Sequence, residues 1–227
     1  MSEQPEAMGD WTAEEIRVMG VLLEKESVTP DQYPMTLNSL ITGCNQSTSR
    51  APVVDYEQVE VEDALTLLRD RKLVYRVDQA GARVPKFQHR LVEQWQLTRP
   101  ELAVLSVLML RGPQTLGQLR QRTERMYQFP DLERVRQTLD GLMQREIDPD
   151  SLVRILPMHS GTKEVRYTTT LAPTDVQSEA PNGLVESVKQ ETEPSPDSLQ
   201  GLRHRVRELE SSLELLRQEF ETFRSQF

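Results

Sequence analysis

A stretch of this chain recurs, without a gap, at an offset of 86 residues, so that Trp11 to Tyr33 lies over Leu97 to Leu119. The matched pairs are Thr12/Thr98, Glu15/Glu101, Ile16/Leu102, Val18/Val104, Val21/Val107, Leu22/Leu108, Thr29/Thr115 and Gln32/Gln118, with Met19 and Leu105 apolar in both copies. These positions mark a helix start, the apolar stripe behind it and a second helix start, so the repeated object is a folding unit. Two copies of one small unit must account for most of the 227 residues.

Each copy can be read forward from its first threonine. Thr12-Ala13-Glu14-Glu15 and Thr98-Arg99-Pro100-Glu101 have capping-box spacing, in which hydroxyl and carboxylate each satisfy an unpaired backbone N–H. Ile16, Met19, Leu22, Leu23 and Leu102, Leu105, Leu108, Met109 then recur at helical spacing and predict one buried face in each copy. Glu26-Ser27-Val28 and Gly112-Pro113-Gln114 are expected to end these helices; Thr29-Pro30 and Thr115-Leu116 are expected to open the next, with threonine as N-cap.

Third helices are predicted over about 57–72 and 132–146, with Val61, Leu65, Leu68 and Val135, Leu139, Leu142 facing inward. Strand pairs follow, 73–77 with 83–88 about a turn at Gln79-Ala80-Gly81, and 152–156 with 164–168 about Ser160-Gly161-Thr162. Three helices and a hairpin are the element order of a winged helix, whose hairpin is the wing. The expected fold is mainly α with small β-hairpin wings, an α+β chain of tandem winged-helix domains at 11–92 and 97–171. A polar N-terminus, residues 1–10, precedes them and is expected to be disordered.

Residues 172–197 are rich in Pro, Ser, Glu and Thr and read as a disordered linker. From Leu199 the pattern changes: Leu199, Leu202, Val206, Leu209, Leu213, Leu216, Phe220, Phe223 and Phe227 alternate spacings of three and four. This heptad seam predicts a coiled-coil helix over 198–227 that joins two chains in a homodimer. One amphipathic helix lying back on its own chain is the alternative.

Charge is distributed unevenly. The net charge of -9 argues against a generally basic coat, yet residues 97–171 hold 11 bases against 9 acids, whereas residues 10–92 hold 10 against 13. No apolar run has the ~18 residues needed to cross a bilayer, and the acidic start is unlike a signal peptide, so a cytoplasmic protein without membrane contact is expected. The single cysteine, Cys44, excludes an intramolecular disulfide and is read as a packed apolar residue. His89, His159 and His204 lack metal-ligand spacing, and phosphate loops, nucleophile elbows and zinc-protease motifs are missing, so no metal, no cofactor and no enzymatic activity are expected.

Longer strings carry a family resemblance. Leu22-Leu23-Glu24-Lys25, Thr29-Pro30-Asp31-Gln32-Tyr33-Pro34, Asn38 and Cys44-Asn45-Gln46-Ser47-Thr48-Ser49-Arg50-Ala51-Pro52-Val53 resemble the YceH family of bacterial proteins, as do Leu110 to Thr115, Leu119 to Arg122 and Arg125 to Phe129. The resemblance covers about residues 11–171. It implies a tandem winged-helix protein of undetermined biochemical function, and supplies no catalytic residue, cofactor or substrate. The linker and tail are expected to lie outside the shared region.

Two candidate surfaces remain. Asn45, Gln46, Ser47, Thr48 and Arg50, with Tyr33, form a polar loop longer than a helix-turn-helix needs, and read either as an interaction loop or as a loop held by its own hydrogen bonds. Arg120, Arg122, Arg125, Arg134 and Arg136, with Lys163 and Arg166 of the second wing, form the best basic cluster, interrupted by Glu124, Asp131 and Glu133. The first expectation is a dimeric DNA-binding regulator working through the second repeat, because Glu57, Glu60, Glu62 and Asp63 would repel phosphates from the first. The alternative is a module whose winged helices grip a partner protein.

Overall fold

The structure, a computed structural model, describes residues 11–78, 84–157 and 164–172. The N-terminal segment, the segments 79–83 and 158–163 where turns are expected, with His159 and Lys163, then His204, the chain beyond residue 172 and the whole heptad seam, including the expected dimerisation residues Leu202, Val206, Leu209, Leu213, Leu216, Phe220 and Phe223, lie outside the described residues.

Both predicted capping boxes form. Thr12 starts α1 (Ala13–Val28): the Glu15 N–H donates to Thr12 Oγ1 at 3.1 Å and the Thr12 N–H donates to Glu15 Oε2 at 2.9 Å. Thr98 and Glu101 repeat the arrangement at the start of α5 (Arg99–Arg111), which ends at Gly112 with φ 67°. A positive φ carries no Cβ penalty for glycine. The first repeat has no glycine there, and α1 runs through Glu26 and Ser27 to Val28 instead of breaking at them.

The second helix of the first repeat begins later than the ungapped match predicts. Thr29 donates its N–H and its hydroxyl back to the Lys25 carbonyl, at 3.0 and 3.3 Å, so it closes α1, and its own carbonyl, accepting from the Gln32 N–H at 2.9 Å, opens only a single 3-10 turn, without a side-chain cap. Pro30–Gln32 is one 3-10 turn, β1 is Met35–Thr36, and Thr36 is the true cap of α2 (Leu37–Cys44), accepting from the Ser39 N–H at 3.2 Å. In the second repeat Thr115 caps α6 (Leu116–Arg122) as expected, with Gln118 completing a capping box. The counterpart of Thr115 is therefore Thr36, an offset of 79 (115 minus 36), which also aligns the buried Leu119 with Leu40. The Thr29/Thr115 and Gln32/Gln118 pairs therefore do not mark equivalent positions, because the first copy carries seven more residues (86 minus 79) ahead of Met35, the counterpart of Gln114.

From that point the two copies run in parallel again. The third helices are α3 (Gln58–Asp70) and α7 (Leu132–Met143), each burying the predicted inner residues. In the first repeat β2 (Val74–Val77) and β3 (Lys86–His89) form a hairpin, and β1 adds to β3, giving the antiparallel order β1-β3-β2 with Met35 opposite Phe87. In the second, β4 (Val153–Ile155) pairs with β5 (Tyr167–Thr169), and the single bridge from Gln114 to Tyr167 takes the place of β1. The last strand starts at Tyr167 and not at Glu164 as expected. Between the copies lies α4 (Leu91–Trp95), whose buried Trp95 packs on Trp11 with ring centroids 5.9 Å apart.

The repeats share one apolar core, centred on α1 against α5. They meet at equivalent positions: Ser106 Oγ donates to the Gly20 carbonyl at 3.2 Å, across the same 86 residues that separate the copies in sequence. A Cβ on Gly20 would lie 2.9 Å from Leu110 Cγ and Cδ2, so only glycine permits this approach. With a neighbour on either side, α1 is buried without interruption from Glu15 to Leu23. The result is an α+β architecture of helices and small antiparallel sheets, and no helix among the described residues is long and apolar enough to cross a membrane.

Candidate functional site

The polar loop between α2 and α3 finds most of its partners inside the chain. Arg50, expected to face a partner, turns inward, and its side chain is 0% exposed. Its guanidinium donates to the carbonyls of Gly43 (3.0 Å) and Ser49 (2.9 Å), to Gln46 Oε1 (2.9 Å) and to both Glu24 carboxylate oxygens (2.7 and 3.3 Å). A guanidinium carries five N–H donors, and a buried one is tolerated only when acceptors surround it. Asn45 is also engaged: it donates to the Tyr56 carbonyl and accepts from the Tyr56 N–H, each at 2.9 Å. Tyr33 stands apart from the loop, its hydroxyl accepting from the His89 N–H at 2.9 Å. Of residues 45–50, Ser47 and Thr48 are exposed, with Gln46 half-buried behind them.

The loop's length has a geometric use. Its Ala51 N–H donates to the Leu110 carbonyl at 2.9 Å, and Arg111 Nη2 donates to Ser49 Oγ at 2.7 Å, so the loop crosses from the first repeat to the end of α5 in the second. A turn as short as that of a minimal helix-turn-helix has no residues to spare for such a crossing. Arg17, buried on α1, secures both ends of the loop by donating to the carbonyls of Cys44 (3.3 Å) and Pro52 (2.6 Å). Burial pushes the Arg17 guanidinium below its ordinary pKa. Sequence reasoning missed Arg17, although a charge inside the apolar run Ile16 to Leu23 is a readable signal of a buried hydrogen-bonding role.

The basic set of the second repeat is divided by the fold. Arg120 donates to the Phe129 (3.3 Å) and Pro130 (2.8 Å) carbonyls and so ties down the segment that leads into α7. Arg122, half-buried, donates to Gln114 Oε1. Arg134 and Arg136 are exposed at the start of α7, beside Gln137 and Glu133 respectively, and Arg166 is exposed near β5. Arg125 is exposed and has no hydrogen-bond or ion-pair partner among the described residues. The expected single arginine surface is thus split, with Arg122 and Arg125 belonging to a cleft between the repeats and Arg134, Arg136 and Arg166 lying elsewhere.

That cleft, of about 480 Å³, is walled by Glu24 and Val28 of α1, Ser49 of the loop, Val107, Leu110 and Arg111 of α5, Gln121 and Arg122 at the end of α6, and Glu124, Arg125 and Met126 just beyond it. Gln114 sets Arg122: its amide nitrogen donates to the Arg111 and Gly112 carbonyls, leaving its oxygen to Arg122. Burial lowers the pKa of Arg111, with the neighbouring Arg122 charge adding to the effect, and burial alone lowers that of Arg122. Among the described residues no group of three His, Cys, Asp or Glu side chains is placed to hold a metal ion. Cys44 is buried, and burial pushes its thiol up to about 12.

Two α+β repeats joined through one core, with a loop of the first docked on the second, define the class of this protein. A family model described as "Protein of unknown function, DUF480" matches residues 11–162, which span both repeats, and the chain belongs to that bacterial family. It is similar to a UPF0502 protein of Azoarcus sp. (strain BH72), 42% identical over 98% of this chain and 96% of that one, and to a UPF0502 protein of Solibacter usitatus (strain Ellin6076), 44% identical over 93% and 100%. A UPF0502 protein of Koribacter versatilis (strain Ellin345) is 49% identical over 72% of this chain and 75% of its own. The first two alignments run well past residue 172, so the tail, expected to lie outside the shared region, is shared with those relatives.

Proposed function

We propose that this chain is a non-enzymatic tandem winged-helix protein that binds a partner protein, with a dimer formed through the heptad seam of residues 198–227. Support for the winged-helix reading is the order helix, short strand or bridge, helix, helix, hairpin, in both copies. The choice of partner rests on the exposed faces of the third helices, the elements a winged helix ordinarily presents to DNA. On α3 these faces carry Glu62, Asp63 and Asp70 against Arg69; on α7, Glu133 and Asp140 offset Arg134 and Arg136. Neither is net positive, and a duplex with one charge per ~1.7 Å is held mainly by cations. Exposed Leu132 at the start of α7, with Ile155 and Val165 on the hairpin, offers apolar contact of the kind protein interfaces use.

DNA binding by the second repeat is the second reading, favoured by the exposure of Arg125, Arg134 and Arg166. Fluorescence anisotropy with mixed-sequence duplex at 50 and 200 mM salt separates the two. The protein-partner reading expects dissociation constants weaker than ~10⁻⁴ M at both salts; a steep salt slope that Arg134→Ala or Arg166→Ala reduces by about one unit establishes the DNA reading in its place. Site-specific cross-linking from position 132 in cells should trap one protein reproducibly, and an Ile155→Glu substitution should abolish the adduct if both residues contact that partner. Light scattering should give twice the chain mass, falling to one after removal of residues 198–227.

A further inference from the structure

We propose that the cleft between the repeats is a binding site for a small organic anion, a phosphate or carboxylate attached to an apolar body. The site is independent of whether protein or DNA is the macromolecular partner.

Three cations line the cleft: Arg111, Arg122 and Arg125. Two carboxylates line it as well, Glu24 and Glu124, but they are not equivalent. Glu24 is held at both oxygens by Arg50, with Lys25 3.9 Å away, so its charge is already matched from behind the wall. Glu124 is exposed. The cleft therefore presents three guanidinium groups against one carboxylate at its rim.

These guanidinium groups have free donors. Arg111 uses one N–H on Ser49, Arg122 one on Gln114, and Arg125 none on any described residue. Arg111 and Arg122 lie together, half-buried and of like charge, with Glu24 offsetting only part of the repulsion at Arg111, so a bound anion would favour the pair further. Guanidinium forks match the oxygens of phosphate and carboxylate in bidentate fashion, which is why arginine marks sites for these groups. The fixed amide of Gln114 and the docked loop at Ser49 hold two of the three in place before a ligand arrives, lowering the entropic cost of binding.

The remaining wall sets the rest of the ligand. Val28, Val107, Leu110 and Met126 are apolar, and about 480 Å³ accommodates a ring or short chain beside the charged group. An inorganic ion alone would leave that part empty. Because α1, the loop, α5 and α6 all contribute, a bound anion would tie the two repeats together.

The test uses the full chain, with phenyl phosphate, benzoate, inorganic phosphate and phenol as probes, read by titration calorimetry and by the NMR shift of the Met126 methyl group. Phenyl phosphate or benzoate should bind saturably, with a dissociation constant of about 1 mM or tighter, and move the Met126 signal. Inorganic phosphate should bind more weakly and phenol not measurably. Arg122→Gln and Arg125→Gln should each weaken binding about tenfold or more, while Arg136→Gln, outside the cleft, should leave it unchanged. Arg125→Gln removes no hydrogen bond or ion pair within the described residues, so its melting temperature should match the parent and its result cannot be ascribed to unfolding. Absence of saturable binding by both anionic probes, equal binding of phenol, or undiminished affinity in both arginine variants would each overturn the assignment.

Discussion

Replacing Arg50 by alanine tests whether the polar loop is a structural strut. The substitution removes a side chain that is 0% exposed and leaves the Gly43 and Ser49 carbonyls and Glu24, itself 17% exposed, without their donor. Breaking a buried ion pair from one side typically costs about 3–5 kcal/mol, because the surviving charge is left without a partner. Glu24 recovers part of its hydration through its exposed edge, so the lower end, about 3 kcal/mol, is expected. For a folded unit of this size each kcal/mol lowers the melting temperature by roughly 2–4 °C, giving a loss of about 6–12 °C by calorimetry. Thr48→Ala, at the exposed tip of the same loop, should stay within about 0.5 kcal/mol. A cycle combining Arg50→Met with Glu24→Gln should show a coupling of at least ~1.5 kcal/mol. A melting temperature within about 2 °C of the parent for Arg50→Ala would show that Arg50 is not a structural anchor and return it to the interaction surface.

Arg17→Lys keeps the charge but loses the fork that spans the Cys44 and Pro52 carbonyls, so it should destabilise by about 1–2 kcal/mol and raise amide exchange across residues 45–52. Gly20→Leu drives a side chain into Leu110 and Met109 at the meeting of α1 and α5 and should cost about 2 kcal/mol or more by overpacking, measured by urea unfolding, whereas Ser106→Ala loses one hydrogen bond and about 1 kcal/mol. A loss for Gly20→Leu no larger than for Ser106→Ala would contradict the close approach of the two helices. Cys44, its thiol pushed up to about 12, should resist a thiol-specific reagent at about pH 8 in the folded protein and react at once in denaturant; the thiolate that attacks accumulates only as pH rises toward that value. Fast labelling of the native protein under the same conditions would show that Cys44 is not packed as described.

Much of the fold was legible locally. The capping boxes at Thr12 and Thr98, the apolar stripes and the third helices follow from short-range rules, because caps and helical faces are set by residues three or four apart. The repeat itself announced two copies of one unit. The slip at Thr29 shows the limit: that threonine closes α1 and opens only one 3-10 turn, while Thr36, in the strand that pairs with residues 86–87 far along the chain, caps α2. The arginines show it again. Composition made Arg50, Arg120 and Arg122 look available, since nothing in their neighbours reveals which carbonyls will surround them. Tertiary packing supplied Gly43, Glu24, Phe129 and Gln114 as acceptors, burying Arg50, half-burying Arg122 and tying down the still exposed Arg120. The duplication and the first and third helices of each copy were set by the chain alone, whereas β1, α4 and the start of α2 were not legible in it. Which repeat faces which, why the loop is long, and which cations share a cleft were decided by the contact of α1 with α5, because a buried charge is placed by its distant acceptors and not by its neighbours in the chain.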